Sequence, residues 1–222
     1  MNKKITLRVK AVIFDMDGVI TNTMPDHFHA WKTVLKEEGI DVTHHDVYSR
    51  EGQKGINSVR EIFGEYGKIY SKQKGAKILR KKEILFQSFV KQRFIIGART
   101  FIKEMSRQGF QLALVTGTSR HELKKILPPY LCRYFSVIIT GNDVKHGKPH
   151  PEPYRLALRK LRMKANDAIV IENAPFGITS AKEAGLKCLA LETSLSKQYL
   201  KQANRIYHSI NDLKKKVKFV VK

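Results

Sequence analysis

Cysteine is scarce in this sequence, and so is negative charge. Two cysteines, Cys132 and Cys188, in 222 residues exclude a disulfide-stapled scaffold and suit a reducing compartment. No run comes near the ~18 apolar residues of a membrane-spanning helix. Lys3, Lys4 and Arg8 are basic, but the apolar run after them is too short for a signal peptide. A soluble, cytoplasmic protein is the expectation. Only 20 Asp and Glu stand against 42 Lys and Arg, a formal net charge of +22. Such a field draws in anions without saying which. The signs of nucleic-acid recognition are missing: there is no paired Cys/His zinc spacing and no aromatic RNA-binding signature. Runs such as Lys214-Lys215-Lys216 read as solvated helix faces. Repeats, low-complexity linkers and a second independent core are absent as well. What is present is a globular composition, 42% hydrophobic and 28% charged, sized for one large domain or one domain with an insertion.

The chain is organised around Ala11-Val12-Ile13-Phe14-Asp15-Met16-Asp17-Gly18. A short apolar run bounded by a turn signal reads as a buried parallel strand. Ligands of open α/β sheets sit beyond the carboxyl ends of the strands, so Asp15 and Asp17 are expected to face a crevice. Two close carboxylates repel, and burial adds to the cost; a divalent cation with oxygen ligands offsets both. A calcium loop fits poorly, because Val19 and Ile20 stand where an oxygen ligand and glycine are needed and position twelve is Asp26. A plain strand-to-turn boundary is the other reading of the stretch by itself.

Residues 24–94 show helical spacing and no convincing strand. Pro25-Asp26 opens the first helix, Gly39 stops it, and a glycine-punctuated loop, Ser49-Arg50-Glu51-Gly52-Gln53-Lys54-Gly55, follows. From Gly97 strands and helices alternate. Strands are expected at 110–115, 137–140, 168–171 and 187–191, with a weak edge strand at 205–208. Helices are expected at 100–108, 120–127, 154–163, 177–184 and 195–203, with a last lysine-rich helix from Asn211. This alternation implies βαβ units and a parallel sheet. The predicted architecture is a Rossmann-like α/β core, residues 1–23 plus 95–222, with a helical cap at 24–94.

Four apolar strands in succession run into polar residues: Asp15/Asp17, Thr116/Gly117, the loop holding Lys148, and Glu172/Asn173. On one sheet edge these would collect carboxylates, a hydroxyl, an ammonium and open amides. A phosphoryl group needs that set. Singly each is weak: Thr-Gly is commonly a strand exit, and the prolines at 149, 151 and 153 could be a rigid helix entry. Their order and placement carry the signal.

On Phe14-Asp15-Met16-Asp17-Gly18-Val19, Val115-Thr116-Gly117-Thr118, Gly147-Lys148-Pro149-His150-Pro151 and Ile171-Glu172-Asn173-Ala174-Pro175, the sequence resembles the haloacid dehalogenase superfamily. The nearest subgroup is that of small phosphatases and β-phosphoglucomutases with a helical cap. The resemblance implies Asp15 as nucleophile forming an aspartyl-phosphate, and Asp17 as general acid and base. It implies Thr116, Gly117 and Lys148 around the phosphoryl group. Magnesium would be held by the Asp15 carboxylate, the Asp17 carbonyl and the acidic motif at 172–173. The family commonly has Glu-Asp at that motif; here it is Glu172-Asn173, and an amide oxygen brings no charge. Glu172 is therefore the favoured charged ligand, directly or through water.

The stretch from Asn22 to Trp31 is similar to the first cap segment of the mutases, with His27 a candidate substrate contact and Trp31 a cap-core candidate. The mutases carry a cap arginine where alignment through Ser58 puts Gly55, and a serine-lysine-asparagine run where this chain has Thr118-Ser119-Arg120. The expectation is a magnesium-dependent phosphatase for a small anionic phosphorylated metabolite, a sugar phosphate or phosphoglycolate. A phosphosugar mutase is the alternative, and a basic binding protein that has lost catalysis a third.

Overall fold

The computed structural model describes residues 4–222, so Lys3 lies outside the described residues. The chain runs β1 (Ile5–Val9), β2 (Ala11–Phe14), α1 (Met24–Lys36), α2 (His44–Tyr48), α3 (Gly55–Glu65), α4 (Lys72–Phe89), α5 (Ala98–Arg107), β3 (Gln111–Val115) and α6 (Arg120–Ile126). It continues through α7 (Pro129–Cys132), β4 (Val137–Ile139), α8 (Glu152–Leu161), β5 (Ala168–Glu172), α9 (Pro175–Glu183), β6 (Lys187–Leu191), β7 (Arg205–Tyr207), α10 (Ile210–Lys216) and β8 (Val217–Val221). Six strands form one parallel sheet in the order β4-β3-β2-β5-β6-β7.

β2 lies inside this sheet, and all four of its residues are buried. Its side chains alternate between two cores: Val12 and Phe14 pack with α5, while Ala11 and Ile13 pack with α8 and α9. Burial on both faces is why the strand reads as an unbroken apolar run rather than an alternating one. Register sets the functional edge. Phe14 is level with Leu114 of β3 and Ile171 of β5, so Asp15, Thr116 and Glu172 leave the sheet side by side.

Helices α1–α4 pack around a core of their own that includes Trp31, Leu35, Val59, Ile62, Phe63 and Ile78. The chain leaves and re-enters the sheet domain at adjacent points. Asn22 N–H donates to Arg93 O, and Ile95 N–H donates to Ile20 O. A four-helix excursion therefore hangs from two neighbouring crossings.

Several local expectations are corrected. The helix expected at 195–203 is a single 3₁₀ turn, Lys197–Tyr199, because only Leu195 and Leu200 are buried there and a spacing of five does not make a helical face. Pro128-Pro129 does stop α6, but Pro129 also begins the short α7, being compatible with a first helical turn. α2 was not expected; a Thr43–Asp46 capping box holds its five residues. The chain ends pair as a parallel two-stranded ribbon, β1 with β8, where no strand was expected. Buried Val217 and Phe219 anchor it, with Phe219 against Phe101 and Phe110. Both cysteines are free. No helix among the described residues is long and apolar enough to cross a membrane.

Candidate active site

The carboxyl edge of the sheet gathers a buried charge network. Lys148 Nζ lies 2.5 Å from Asp15 Oδ1, 2.7 Å from Glu172 Oε1, and donates to Val115 O at 3.2 Å. All three charged side chains are about 1% exposed. Tyr154 OH donates to Glu172 Oε1 at 2.9 Å, and Glu172 Oε2 accepts the N–H groups of Asn173 (2.8 Å) and Ala174 (3.2 Å). Burial disfavours the Lys148 ammonium, but Asp15 and Glu172 outweigh that and hold it charged. Burial also pushes the Asp15 carboxyl well up; Lys148 pulls against this, and Glu172 and Asp17 add to it. The site is short of positive charge.

Asp17 is fully buried and surrounded by hydroxyls. Thr23 Oγ1 donates to Oδ1 and Thr118 Oγ1 to Oδ2 (2.9 Å); Thr21 and Thr116 hydroxyls stand 3.5 Å away. His27 Nε2 lies 3.5 Å from Oδ1 but is not aligned for a hydrogen bond. Burial raises this carboxyl, yet His27 and the Thr23 and Thr118 hydroxyls outweigh it and hold Asp17 below the usual range. Gly18 makes the turn possible: its φ is +84°, and a Cβ there would come within 2.1 Å of Asn173 Nδ2.

Among the buried oxygens of the described residues that have no partner, two belong to this network: Asp15 Oδ2 and Asn173 Oδ1. Asn173 Nδ2 donates to Ser194 Oγ at 2.8 Å, which leaves the amide oxygen as the free end. An unpaired buried oxygen costs roughly 1–3 kcal/mol, and a hard divalent cation takes oxygen ligands of both kinds. The donor set fits magnesium. Among the described residues no group of three or more His, Cys, Asp and Glu side chains makes a ready metal site; the fit rests on carboxylate, amide and backbone oxygens. Glu172, expected as the charged ligand, has both oxygens engaged with Lys148, Tyr154 and backbone N–H groups. Asn173 offers the open one.

Beside these groups is a cavity of about 230 Å³ between α1–α4 and the sheet. The loop at 51–53 closes onto the core: a Cβ on Gly117 would meet Gly52 O at 2.4 Å, and one on Gly52 would meet Lys148 Cδ at 2.5 Å. Lys54 Nζ reaches across to Val144 O at 2.6 Å. Glycine is required on both sides of this contact.

A family model for haloacid dehalogenase-like hydrolases matches residues 12–191. The chain belongs to that family. It is 30% identical over 183 residues to a phosphorylated carbohydrates phosphatase of Thermotoga maritima, covering 81% of this chain and 83% of the relative. It is 26% identical over 202 residues to the pyrophosphatase PpaX of Bacillus cereus, covering 85% and 86%. Among solved structures, a Bacteroides vulgatus protein provisionally described as a β-phosphoglucomutase superposes with a TM-score of 0.84 at 32% identity, covering 95% of this chain and 88% of that one. The protein is thus an enzyme of the phosphatase and phosphosugar-mutase kind within its family.

Thr116, Gly117, Lys148, Glu172 and Asn173 all meet around Asp15 and Asp17. His27 lines the cavity next to Asp17 and stacks on Phe86, with centroids 4.1 Å apart. Trp31 packs in the helical core and also borders the cavity. The cap arginine of the mutases has no counterpart: a Cβ at Gly55 would meet Leu79 Cδ1 at 2.4 Å, and Arg50 is held by Asp46 O and Glu65. Ser119 caps α6 and Arg120 pairs with Asp143 at 2.7 Å, so that run serves local structure.

Sequence reasoning missed four residues. In the sequence Tyr154 stands only as a helix residue, Thr118 as a motif residue with no role of its own, and Glu51 as part of a glycine-punctuated loop. Lys82 left a usable signal: with Ile78 and Phe86 it forms an i, i+4, i+8 row that is buried on α4, and a lysine on an apolar stripe is an anomaly. Its Nζ lies 4.6 Å from the Phe86 ring centroid, and its only ionic neighbour among the described residues is Glu122 Oε1 at 3.7 Å.

Proposed function

We propose that this enzyme is a magnesium-dependent phosphatase for small phosphorylated metabolites, acting through an aspartyl-phosphate on Asp15. The observation that carries the reading is the Asp15 carboxylate: one oxygen is fixed by Lys148, and the other is buried and unpartnered at the carboxyl edge of the sheet. Residues 24–94 act as a cap over the core at 1–23 and 95–222. Asp15 Oδ2 and Asn173 Oδ1, with the Asp17 carbonyl that the family resemblance implies, would hold the cation. When bound, the cation supplies positive charge that lessens repulsion between carboxylate and phosphate.

An Asp15 oxygen bonds to phosphorus as the bond to the leaving oxygen breaks, and Asp17 gives that oxygen its proton. Water then attacks phosphorus, Asp17 takes its proton, and the bond to Asp15 breaks to release phosphate. A phosphate dianion beside Asp17 opposes its ionisation, which favours the protonated form needed for the first half. Thr116 and Lys148 bind the phosphoryl oxygens, while Glu172 and Tyr154 orient Lys148. Lys82 meets a polar or anionic group at the substrate's far end.

The phosphatase reading is favoured over the mutase by Gly55 standing where the mutases carry an arginine, and by the charge of Arg50 being taken up by Glu61 and Glu65 and that of Arg120 by Asp143. The test is phosphate release from a panel of sugar phosphates, phosphoglycolate and pyrophosphate, with and without magnesium. Release that requires magnesium is expected. Conversion of β-glucose 1-phosphate without release would favour the mutase, and salt-sensitive nucleic-acid binding without turnover would favour a binding protein.

A further inference from the structure

A neutral amide at 173 leaves the core with one anionic charge fewer for a cation than an aspartate would supply. The loop between α2 and α3, seated on Lys148 and Gly117 through Gly52, carries another carboxylate. Glu51 lines the cavity together with Gly117 and Thr118, and its Oε1 accepts only its neighbour's N–H, Gly52, at 3.0 Å. Gly52, in a left-handed turn with φ +78°, lies against Lys148 and Gly117, so the backbone holding Glu51 is clamped at the site. Among the described residues Glu51 forms no ion pair, whereas Lys148 is already shared by Asp15 and Glu172. Burial first, then the charges of Asp17 and Asp15, push its carboxyl well up. A further anion beside a group of carboxylates is costly unless a cation joins them.

We infer that Glu51 ligates, directly or through one water, the divalent cation held at Asp15 and Asn173, so that the cap completes the cation site. This rests on the proposed cation-dependent reading. It assigns the charged ligand missing from position 173 to a loop of the helical insertion. Cation affinity is then coupled to cap closure: the site is strongest with residues 51–53 seated on the core.

The test is calorimetric titration of Mg²⁺ and Mn²⁺ into the full chain, with no substrate, for wild type, Glu51→Gln, Asn173→Asp and the double variant. Glu51→Gln is expected to weaken binding by about ten- to a hundredfold. Asn173→Asp is expected to tighten it and to restore most of the loss in the double variant. That rescue guards against a variant that has simply unfolded, because an unfolded chain gains nothing from an aspartate at 173. Affinity of Glu51→Gln within twofold of wild type, or failure of the rescue in a folded double variant, overturns the inference. Phosphate release is a separate readout. Magnesium-dependent turnover by wild type combined with unchanged affinity in Glu51→Gln overturns this assignment alone, while a wild type that binds neither cation overturns both it and the magnesium dependence.

Discussion

Replacing Lys82 with methionine, together with Glu122→Gln so that no buried charge is left unpaired, should cost activity without costing stability. The ammonium is buried, and Glu122 Oε1, its ionic neighbour at 3.7 Å, has no hydrogen-bond partner. At an effective dielectric of about 20 the attraction is about 4 kcal/mol, while desolvation costs several kcal/mol for each ion. The two nearly cancel. Methionine keeps the apolar stem against Phe86 and Trp31, and Glu122→Gln keeps an oxygen for the Ser119 hydroxyl and N–H, which now donate to Glu122 at 3.1 and 3.4 Å. Stability should therefore hold or rise by about 1 kcal/mol, a Tm gain of roughly 2–4 °C for a chain of this size. If Lys82 meets the substrate, losing a charge-assisted hydrogen bond of about 1.5–3 kcal/mol lowers kcat/KM by roughly ten- to a hundredfold. Differential scanning fluorimetry and phosphate release on the preferred substrate measure both. A Tm lower by more than about 6 °C with unchanged kcat/KM would refute the reasoning and make Lys82 a structural member of the cap.

Two further outcomes follow from specific contacts. Gly117→Ala places a Cβ 2.4 Å from Gly52 O, so the cap loop cannot seat; Tm should change little while kcat/KM falls at least ~tenfold, and equal activity would argue against closure at this point. In Asp46, burial raises the carboxyl, but the Thr43 backbone and hydroxyl, with Tyr66, outweigh it and hold it below its usual value. Its stabilisation is thus complete above the unfolded value and lost as pH falls through the lower folded one. Wild type should lose more Tm than Asp46→Asn between about pH 5 and pH 3; identical acid profiles would contradict this.

The sheet and its functional edge were legible because β2, β3 and β5 are buried on both faces and each runs into a polar residue at the carboxyl edge. Asp15, Thr116, Lys148 and Glu172 could be brought together from strand order alone. The division of labour at 172–173 was not legible. It depends on Tyr154 and two backbone N–H groups occupying Glu172, and the Tyr154 contact arises only when α8 packs against the sheet. Glu51 was equally hidden, since its meaning comes from the seating of Gly52 on Gly117, between parts of the chain 65 residues apart by number. The β1–β8 ribbon pairs two segments far apart in number, and the alternation of Ile5-Thr6-Leu7-Arg8-Val9 is a period-two signal for β1 that was present in the sequence and overlooked. Lys82 is a like case, an i, i+4 anomaly that was present in the pattern and overlooked.

The central claim is that Asp15 accepts the phosphoryl group. Its most direct measurement is acid quenching during turnover, followed by peptide mapping by mass spectrometry. The account predicts a phosphorylated peptide whose modified residue is Asp15, absent in Asp15→Asn, together with loss of phosphate release in that variant. Undiminished release by Asp15→Asn, or a phosphoryl group found on another residue, would contradict it.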